Sequence, residues 1–191
     1  MLLTIDRTNR PQERAALRAM FEARKSIFVD RLKYDLPVLA DRYEVDQFDG
    51  HDAVYLVLVD RDGRHRASAR LLATTRPCIL NSLCADLCDG PLPQGAGVWE
   101  ISRFCLSREL CARERQHVRN QLVTAIVRHG LAQDIGAYVS VAEMGRLSRI
   151  LSLGWECAPL GLPKKYDGAV LGALRIDIRR DTLARLCRAD V

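Results

Sequence analysis

The pattern of apolar residues along this 191-residue chain predicts an α/β protein (α+β in its order), with a mixed sheet and helices on the sheet faces. Three observations lead there. Two β-rich apolar runs, 54–59 and 65–73, flank Asp60-Arg61-Asp62-Gly63, whose Asp-Gly pair is a strong hairpin signal. Two longer segments, starting at Pro11 and at Cys111, repeat apolar residues at i, i+3 and i+4. Beyond the second helix, strands and helices alternate, which requires crossover connections.

Each element has its own signal. Leu2 to Ile5 reads as a short first strand, and Pro11 suits the first turn of a helix. Leu17, Met20, Phe21, Arg24 and Phe28 share one face of that helix. From Leu32 to Gly50 the pattern breaks into a long loop, a length that usually serves function. After the hairpin, Ser82 is the expected cap of a short helix ending near Leu87. Val98 to Leu106 reads as a strand, with Glu100, Ser102 and Phe104 on one face and Trp99, Ile101, Arg103 and Cys105 on the other unless a bulge intervenes. The helix from Cys111 to His129 turns Val118, Leu122, Ala125, Ile126 and His129 inward, with Gly130 as its C-cap. A strand over 137–141, a helix over 144–153 ended by Gly154, an extended stretch over 155–160, a strand over 169–178 and a terminal helix over 182–187 follow.

Composition narrows the function. With 48% hydrophobic residues the chain can bury a core, and its length suits a single domain over 1–191. No apolar run approaches the roughly 18–20 residues of a membrane span, and the N-terminal residues carry no secretory pattern, so a cytoplasmic protein without a membrane partner is expected. The net charge is +5, but 25 of the 29 cations are arginines scattered along the chain and aromatics are only 6%, which argues against a nucleic-acid partner. The seven cysteines form no C-x-x-C and the four histidines no ligand pair, so neither disulfides nor a metal site is expected.

Two groups of residues could carry chemistry. One is the acidic loop with Glu44, Asp46 and Asp49, which is either a solvated loop or a binding site. The other is Glu100 and Arg103, charged residues inside an apolar strand and costly to bury unpaired. They form a structural ion pair, to each other or to Arg70, or they hold a zwitterion, with carboxylates for an amine and arginine for a carboxylate. Arg24 lies on the apolar face of its helix between Phe21 and Phe28, either snorkelling or in the same site. The chain has no G-x-S-x-G, P-loop, G-x-G-x-x-G or H-E-x-x-H motif.

Three blocks resemble the acyl-homoserine-lactone synthases, the autoinducer synthases of quorum sensing. They are Arg24-Lys25-Ser26-Ile27-Phe28 to Tyr34, then Glu44-Val45-Asp46-Gln47-Phe48-Asp49, then Ser68 to Pro77 together with Trp99-Glu100-Ile101-Ser102-Arg103-Phe104. They cover about the first 110 residues in the family's order, and after Arg108 the match is general. The resemblance implies an N-acetyltransferase-like three-layer αβα sandwich with a mixed, twisted sheet. It also implies S-adenosylmethionine as a substrate rather than a cofactor, and an acyl thioester on acyl carrier protein or coenzyme A as donor. By the same resemblance Glu100 is the base, and Asp46 and Asp49 orient the amino-acid part. Arg103 supports the site and pairs with the substrate carboxylate or an acidic loop residue. Arg24, Phe28, Tyr34 and Phe104 contact S-adenosylmethionine, and Arg70 supports the site. Trp99, Ile101, Val141, Met144 and Leu147 are candidates for an acyl pocket, with ordinary core as their alternative; a bulky lining favours a short, branched or aromatic acyl group. Two positions depart from the family: Tyr34 stands where tryptophan is usual, and Cys84 where phenylalanine is frequent.

A basic face with Arg146, Arg149, Lys164 and Lys165 is the expected dock for an acidic carrier protein. The rival readings are a general coenzyme A-dependent N-acyltransferase and a non-catalytic binding protein. Residues 107–115 contain no glycine, which argues against a pyrophosphate-cradling loop and for a carrier-protein donor. Glu100 and Arg103 within a central strand argue against a surface binding module.

Overall fold

The structure is a computed structural model that describes residues 1–166 and 168–191. It divides into two compact units, residues 1–71 with 103–122 and residues 72–102 with 123–191.

In the first unit, β1 (Leu2–Ile5) pairs antiparallel with β4 (Val54–Val59), and β4 with β5 (His65–Ala73). Asp60 Oδ1 accepts the amides of Asp62 and Arg64, both at 2.9 Å, and Gly63 takes φ +77°, so the Asp-Gly turn closes this hairpin as expected. The outer half of β6 (Val98–Leu106) continues beside β5, with Ser107 N donating to Arg66 O at 2.8 Å. Helix α1 (Arg14–Arg24) starts three residues after Pro11, because residues 6–13 form turns tied by Asn9. It runs directly into a π-helical segment, Lys25–Arg31, which buries Ile27 and Phe28. Such segments are rare and often mark functional sites. The long loop is not structureless: β2 (Val38–Leu39) and β3 (Tyr43–Glu44) form a small hairpin. Its turn residues Ala40 and Asp41 lie at φ +52° and +51°. Neither is glycine or asparagine, so composition gave no hairpin signal.

In the second unit, the inner half of β6 runs parallel to β7 (Ala137–Glu143) over three pairs, Val98↔Ala137 to Glu100↔Val139. Past that point the Ile101 carbonyl accepts the Ser140 hydroxyl at 2.9 Å instead of a ladder amide. β7 pairs antiparallel with β10 (Ala169–Asp177), which also pairs with β8 (Glu156–Pro159) and with β9 (Lys164–Tyr166), a strand the sequence reading missed. The parallel β6–β7 pair beside antiparallel ones makes the sheet mixed, as expected. Helix α2 (Ile79–Leu83) begins before Ser82; Asn81 Oδ1 caps Cys78 N at 2.8 Å, so Ser82 is interior. Residues Ala85–Leu87 add a short 3₁₀ turn.

Helix α3 (Ala112–Ala132) extends past Gly130. Asp134, at φ +53°, takes the left-handed position, and Ile135 N closes back on Gly130 O at 2.9 Å. Gly130 is small for another reason: a Cβ there would lie 3.1 Å from the Tyr138 ring. Helices α4 (Met144–Leu151) and α5 (Thr182–Arg188) complete the unit. Gly154, at φ +88°, ends the turn after α4, and a Cβ there would meet Ala189 at 2.5 Å.

Candidate active site

The first unit brings six charged side chains into one network. Arg24, at the end of α1, donates from Nε to Glu44 Oε2 at 2.5 Å. Its Nη1 and Nη2 grip Asp49 Oδ1 and Oδ2, both at 2.8 Å. Arg24 is fully buried and bidentate, so it does not snorkel. Arg70, from β5, donates to Asp46 at 2.5 and 3.2 Å and lies 2.9 Å from Asp49 Oδ1. Arg103 donates to Glu44 at 3.0–3.2 Å and to Asp46 Oδ2 at 2.6 Å. These partners are the carboxylates of the acidic loop, the alternative to Glu100 and Arg70 that the sequence left open.

Three guanidinium groups face three carboxylates, so the charges balance. Burial alone would raise the carboxyl pKa values. The Arg24 hydrogen bonds, with help from Arg103 at Glu44 and Arg70 at Asp49, hold both Glu44 and Asp49 below the usual carboxylate range. Desolvation likewise opposes the charge on Arg24 and Arg70, and the carboxylates more than offset it.

Arg103 differs from its two companions. Its side chain is 13% exposed, against 1% for Arg24 and 0% for Arg70. Among the described residues its Nη1 donates no hydrogen bond, while Nε and Nη2 are occupied. Its backbone sits at φ +51°, a left-handed conformation that costs about 1–2 kcal/mol for a side chain with a Cβ. That left-handed residue interrupts β6 in the stretch where the sequence reading allowed for a bulge, directly after Glu100, Ile101 and Ser102, which are all buried. The guanidinium lies 5.6 Å from the centroid of the Phe28 ring, and Phe28 stacks on Tyr34 with centroids 6.2 Å apart. Phe104, next on β6, is half-buried.

The second unit holds Glu100. Its carboxylate is fully buried and accepts Ile79 N at 3.2 Å and Leu80 N at 2.7 Å, the first-turn amides of α2. Burial beside this charge pushes the Cys78 thiol up to about 12 and the Cys84 thiol to about 11, so both are protonated neighbours. Of the proposed acyl-pocket residues, Ile101 and Leu147 are buried, Val141 is half-buried and Met144 is exposed. Trp99 packs edge-on against His129 of α3, with ring centroids 6.1 Å apart. On the expected basic face, Lys164 donates to the Asp86 carbonyl and carboxylate, which reduces its free charge, while Arg149 and Lys165 are exposed and Arg146 is half-buried.

The network lies on elements that match a known family. A family model described as autoinducer synthase matches residues 8–186. The chain belongs to the autoinducer synthase family. An acyl-homoserine-lactone synthase of Ralstonia nicotianae is 37% identical over 177 residues, covering 88% of this chain and 85% of that protein. An isovaleryl-homoserine lactone synthase of Bradyrhizobium diazoefficiens is 31% identical, covering 96% and 82%. A solved coenzyme A-dependent acyl-homoserine lactone synthase with S-adenosylmethionine and isopentyl-CoA superposes with a TM-score of 0.90 at 30% identity, covering 100% of this chain and 90% of that one. A putative N-acetyltransferase from Lactobacillus plantarum, 18% identical with a TM-score of 0.61 over 93% of this chain and 99% of that one, shares the fold, so the N-acetyltransferase-like architecture holds. As a member of the autoinducer synthase family the protein is an acyltransferase.

Three residues bonded into or onto this network were not singled out as site residues from the sequence. Glu44 was noted in the acidic loop but given no role; it is the buried carboxylate that joins Arg24 to Arg103. The hydrogen bonds of Arg10 and Tyr55 to the same loop had no sequence signal, since an arginine in a turn and a tyrosine in a strand are ordinary.

Proposed function

We propose that the protein forms an N-acyl-homoserine lactone from S-adenosylmethionine and an acyl thioester. The observation that supports this reading is Arg103 Nη1, which among the described residues donates no hydrogen bond although the rest of that guanidinium is held in the charge-balanced network. A partly exposed guanidinium edge above an aromatic stack suits the carboxylate of an amino-acid substrate. Phe28 and Tyr34 give the flat apolar surface that an adenosyl sulfonium would cover. Tyr34, smaller than tryptophan and bearing a hydroxyl, keeps that function.

The chemistry requires two proton transfers and two displacements. A free α-amine has a pKa of about 7.7–8.0, so at neutral pH it is mostly protonated. Glu100 takes that proton, directly or through water, and the α2 amides fix the direction of its carboxylate. The amine nitrogen attacks the thioester carbonyl and a C–N bond forms; the C–S bond breaks, and the departing thiolate takes the second nitrogen proton and leaves as the thiol. The substrate carboxylate then attacks its own γ-carbon. The Cγ–S bond breaks with both electrons going to sulfur, and neutral methylthioadenosine departs. Ring closure needs orientation more than activation, because a sulfonium is already a good leaving group. Arg103 provides that orientation, while Arg24, Arg70, Asp46 and Asp49 hold Arg103 and its loop in place.

The names of two relatives carry a branched acyl group or coenzyme A, which favours a coenzyme A thioester of a short branched acid. At the start of α3, Glu114 accepts Cys111 N at 2.9 Å and Arg66 Nη2 at 2.7 Å. That carboxylate occupies the helix end where a pyrophosphate would otherwise lie, so a coenzyme A donor must be held elsewhere. The test is methylthioadenosine release with S-adenosylmethionine and matched acyl groups on coenzyme A and on acyl carrier protein. Release is expected with at least one donor, and silence with all of them overturns the reading. Glu100→Gln is expected to lower kcat at least 100-fold with S-adenosylmethionine affinity within threefold; undiminished kcat would remove Glu100 from the base role.

A further inference from the structure

The Asp49 carboxylate is full. Oδ1 receives Arg24 Nη1 and the Tyr55 hydroxyl at 2.8 Å each and lies 2.9 Å from Arg70 Nη1. Oδ2 receives Arg24 Nη2 and the backbone amide of Asp46, also at 2.8 Å. A carboxylate offers about four lone-pair directions, so five donors leave none for a substrate amine. Asp49 therefore organises other groups, and what positions Asp49 positions the site.

Two residues do this from outside the charge network. Tyr55, in β4, is among the described residues the one uncharged side chain that donates to Asp49. Arg10, in the turn before α1, donates to the carbonyls of Gly50 at 2.7 Å and Ala53 at 2.9 Å, with a longer 3.4 Å bond to the Asp49 carbonyl. Its guanidinium lies 5.2 Å from the centroid of the Tyr55 ring. Tyr55 meets Phe21 edge-on at 6.0 Å, and Arg24 lies 5.0 Å from the Phe21 centroid. A cation–ring–ring–cation stack thus links Arg10 to Arg24, and the Asp46–Asp49 loop is bonded to it at Asp49, through the carboxylate to Arg24 and Tyr55 and through the carbonyl to Arg10. Arg10 keeps its buried Nε without a partner, a penalty that ordinary packing would not explain.

We propose that Arg10 and Tyr55 are positioning residues for the S-adenosylmethionine site, acting through Asp49 and the 46–53 loop without touching substrate. This rests on the acyl-transfer reading above. A phenylalanine would fill the Tyr55 position equally well, so the proposal concerns the hydroxyl alone. Losing a hydrogen bond to a charged group is worth about a factor of ten.

The test uses the full chain with Tyr55→Phe and Arg10→Met. In Tyr55→Phe, KM for S-adenosylmethionine is expected to rise about tenfold, with KM for the acyl donor within twofold and a melting temperature shift under about 4 °C. Amide hydrogen exchange over residues 46–50 should accelerate about tenfold in Tyr55→Phe and more in Arg10→Met, while β4 and β5 keep wild-type rates. Unchanged exchange over 46–50 overturns the proposal. So does faster exchange with an unchanged KM for S-adenosylmethionine, or an equal rise of both KM values with a fall in melting temperature. If the wild-type chain neither binds S-adenosylmethionine nor releases methylthioadenosine, the acyl-transfer reading fails; the exchange measurement then still decides whether Arg10 and Tyr55 hold Asp49.

Discussion

The two units hold buried carboxylates by different means. In the first, Glu44, Asp46 and Asp49 are matched one for one by Arg24, Arg70 and Arg103. In the second, Glu100 is held by the backbone amides of Ile79 and Leu80. Guanidinium pairs satisfy both charge and geometry, and they neutralise whatever they hold. Backbone amides fix a carboxylate without adding a formal positive charge. The contrast makes the two kinds of carboxylate fail differently, and it matches the separate roles proposed for them above.

The largest expected effect is at Glu44. Glu44→Gln leaves Arg24 and Arg103 sharing one fewer negative charge in a closed space, and breaking a buried pair in this way costs about 3–5 kcal/mol. Denaturant unfolding should show it as a lower midpoint with an unchanged slope. The double variant Glu44→Gln/Arg103→Gln restores the balance and should recover part of the loss. Equal or greater destabilisation in the double variant would mean that local packing, rather than charge matching, stabilises the network.

Acid comes next, and it acts on the first unit through two kinds of group. Burial pushes His65 down to about 4, from an ordinary value near 6.5, with Nε2 bonded to Ser68 Oγ at 2.9 Å and Nδ1 unpartnered. Its folded pKa is depressed, so between pH 6.5 and 4 the unfolded chain binds the extra proton. Stability is then complete above about pH 6.5 and falls by roughly 3 kcal/mol as pH drops to 4. Glu44 and Asp49 are also depressed: their contribution is present above about pH 4 and is lost as pH falls further, through their folded values. Stability measured from pH 7 to 3 should therefore fall in two stages, and His65→Gln should remove the first. A flat curve down to pH 4 in the wild type would show that His65 is protonated at no cost.

Much of this contrast was legible in the sequence because it rests on misplaced charge. Arg24 among Phe21 and Phe28, and Glu100 and Arg103 inside Val98 to Leu106, announced themselves as ions on apolar faces. Their partners were less legible. Glu44 lies in a loop whose composition reads as solvated, and only the β2–β3 hairpin and the kink at Arg103 bring it between two arginines. The kink itself had no residue signal, since arginine is an unlikely occupant of a left-handed position. Helix ends were misjudged where another residue took the expected place: Asp134, by its left-handed backbone, beyond the expected Gly130, and Asn81, by its side chain, for Ser82. These are tertiary choices between acceptable local options, which periodicity does not rank.

The smallest effect on stability is expected where the largest effect on turnover is proposed. Glu100→Gln keeps the shape of the side chain, but its amide nitrogen must face one of the two α2 amides, Ile79 N or Leu80 N. One acceptor for an α2 amide is lost by that exchange, so the cost should be about 1–2 kcal/mol, well below that of Glu44→Gln. Amide exchange at Ile79 and Leu80 should quicken while residues 46–50 stay at wild-type rates. If Glu100→Gln instead destabilises the chain as much as Glu44→Gln does, Glu100 is a structural charge like those of the first unit, and the distinction between scaffold and chemical carboxylates disappears.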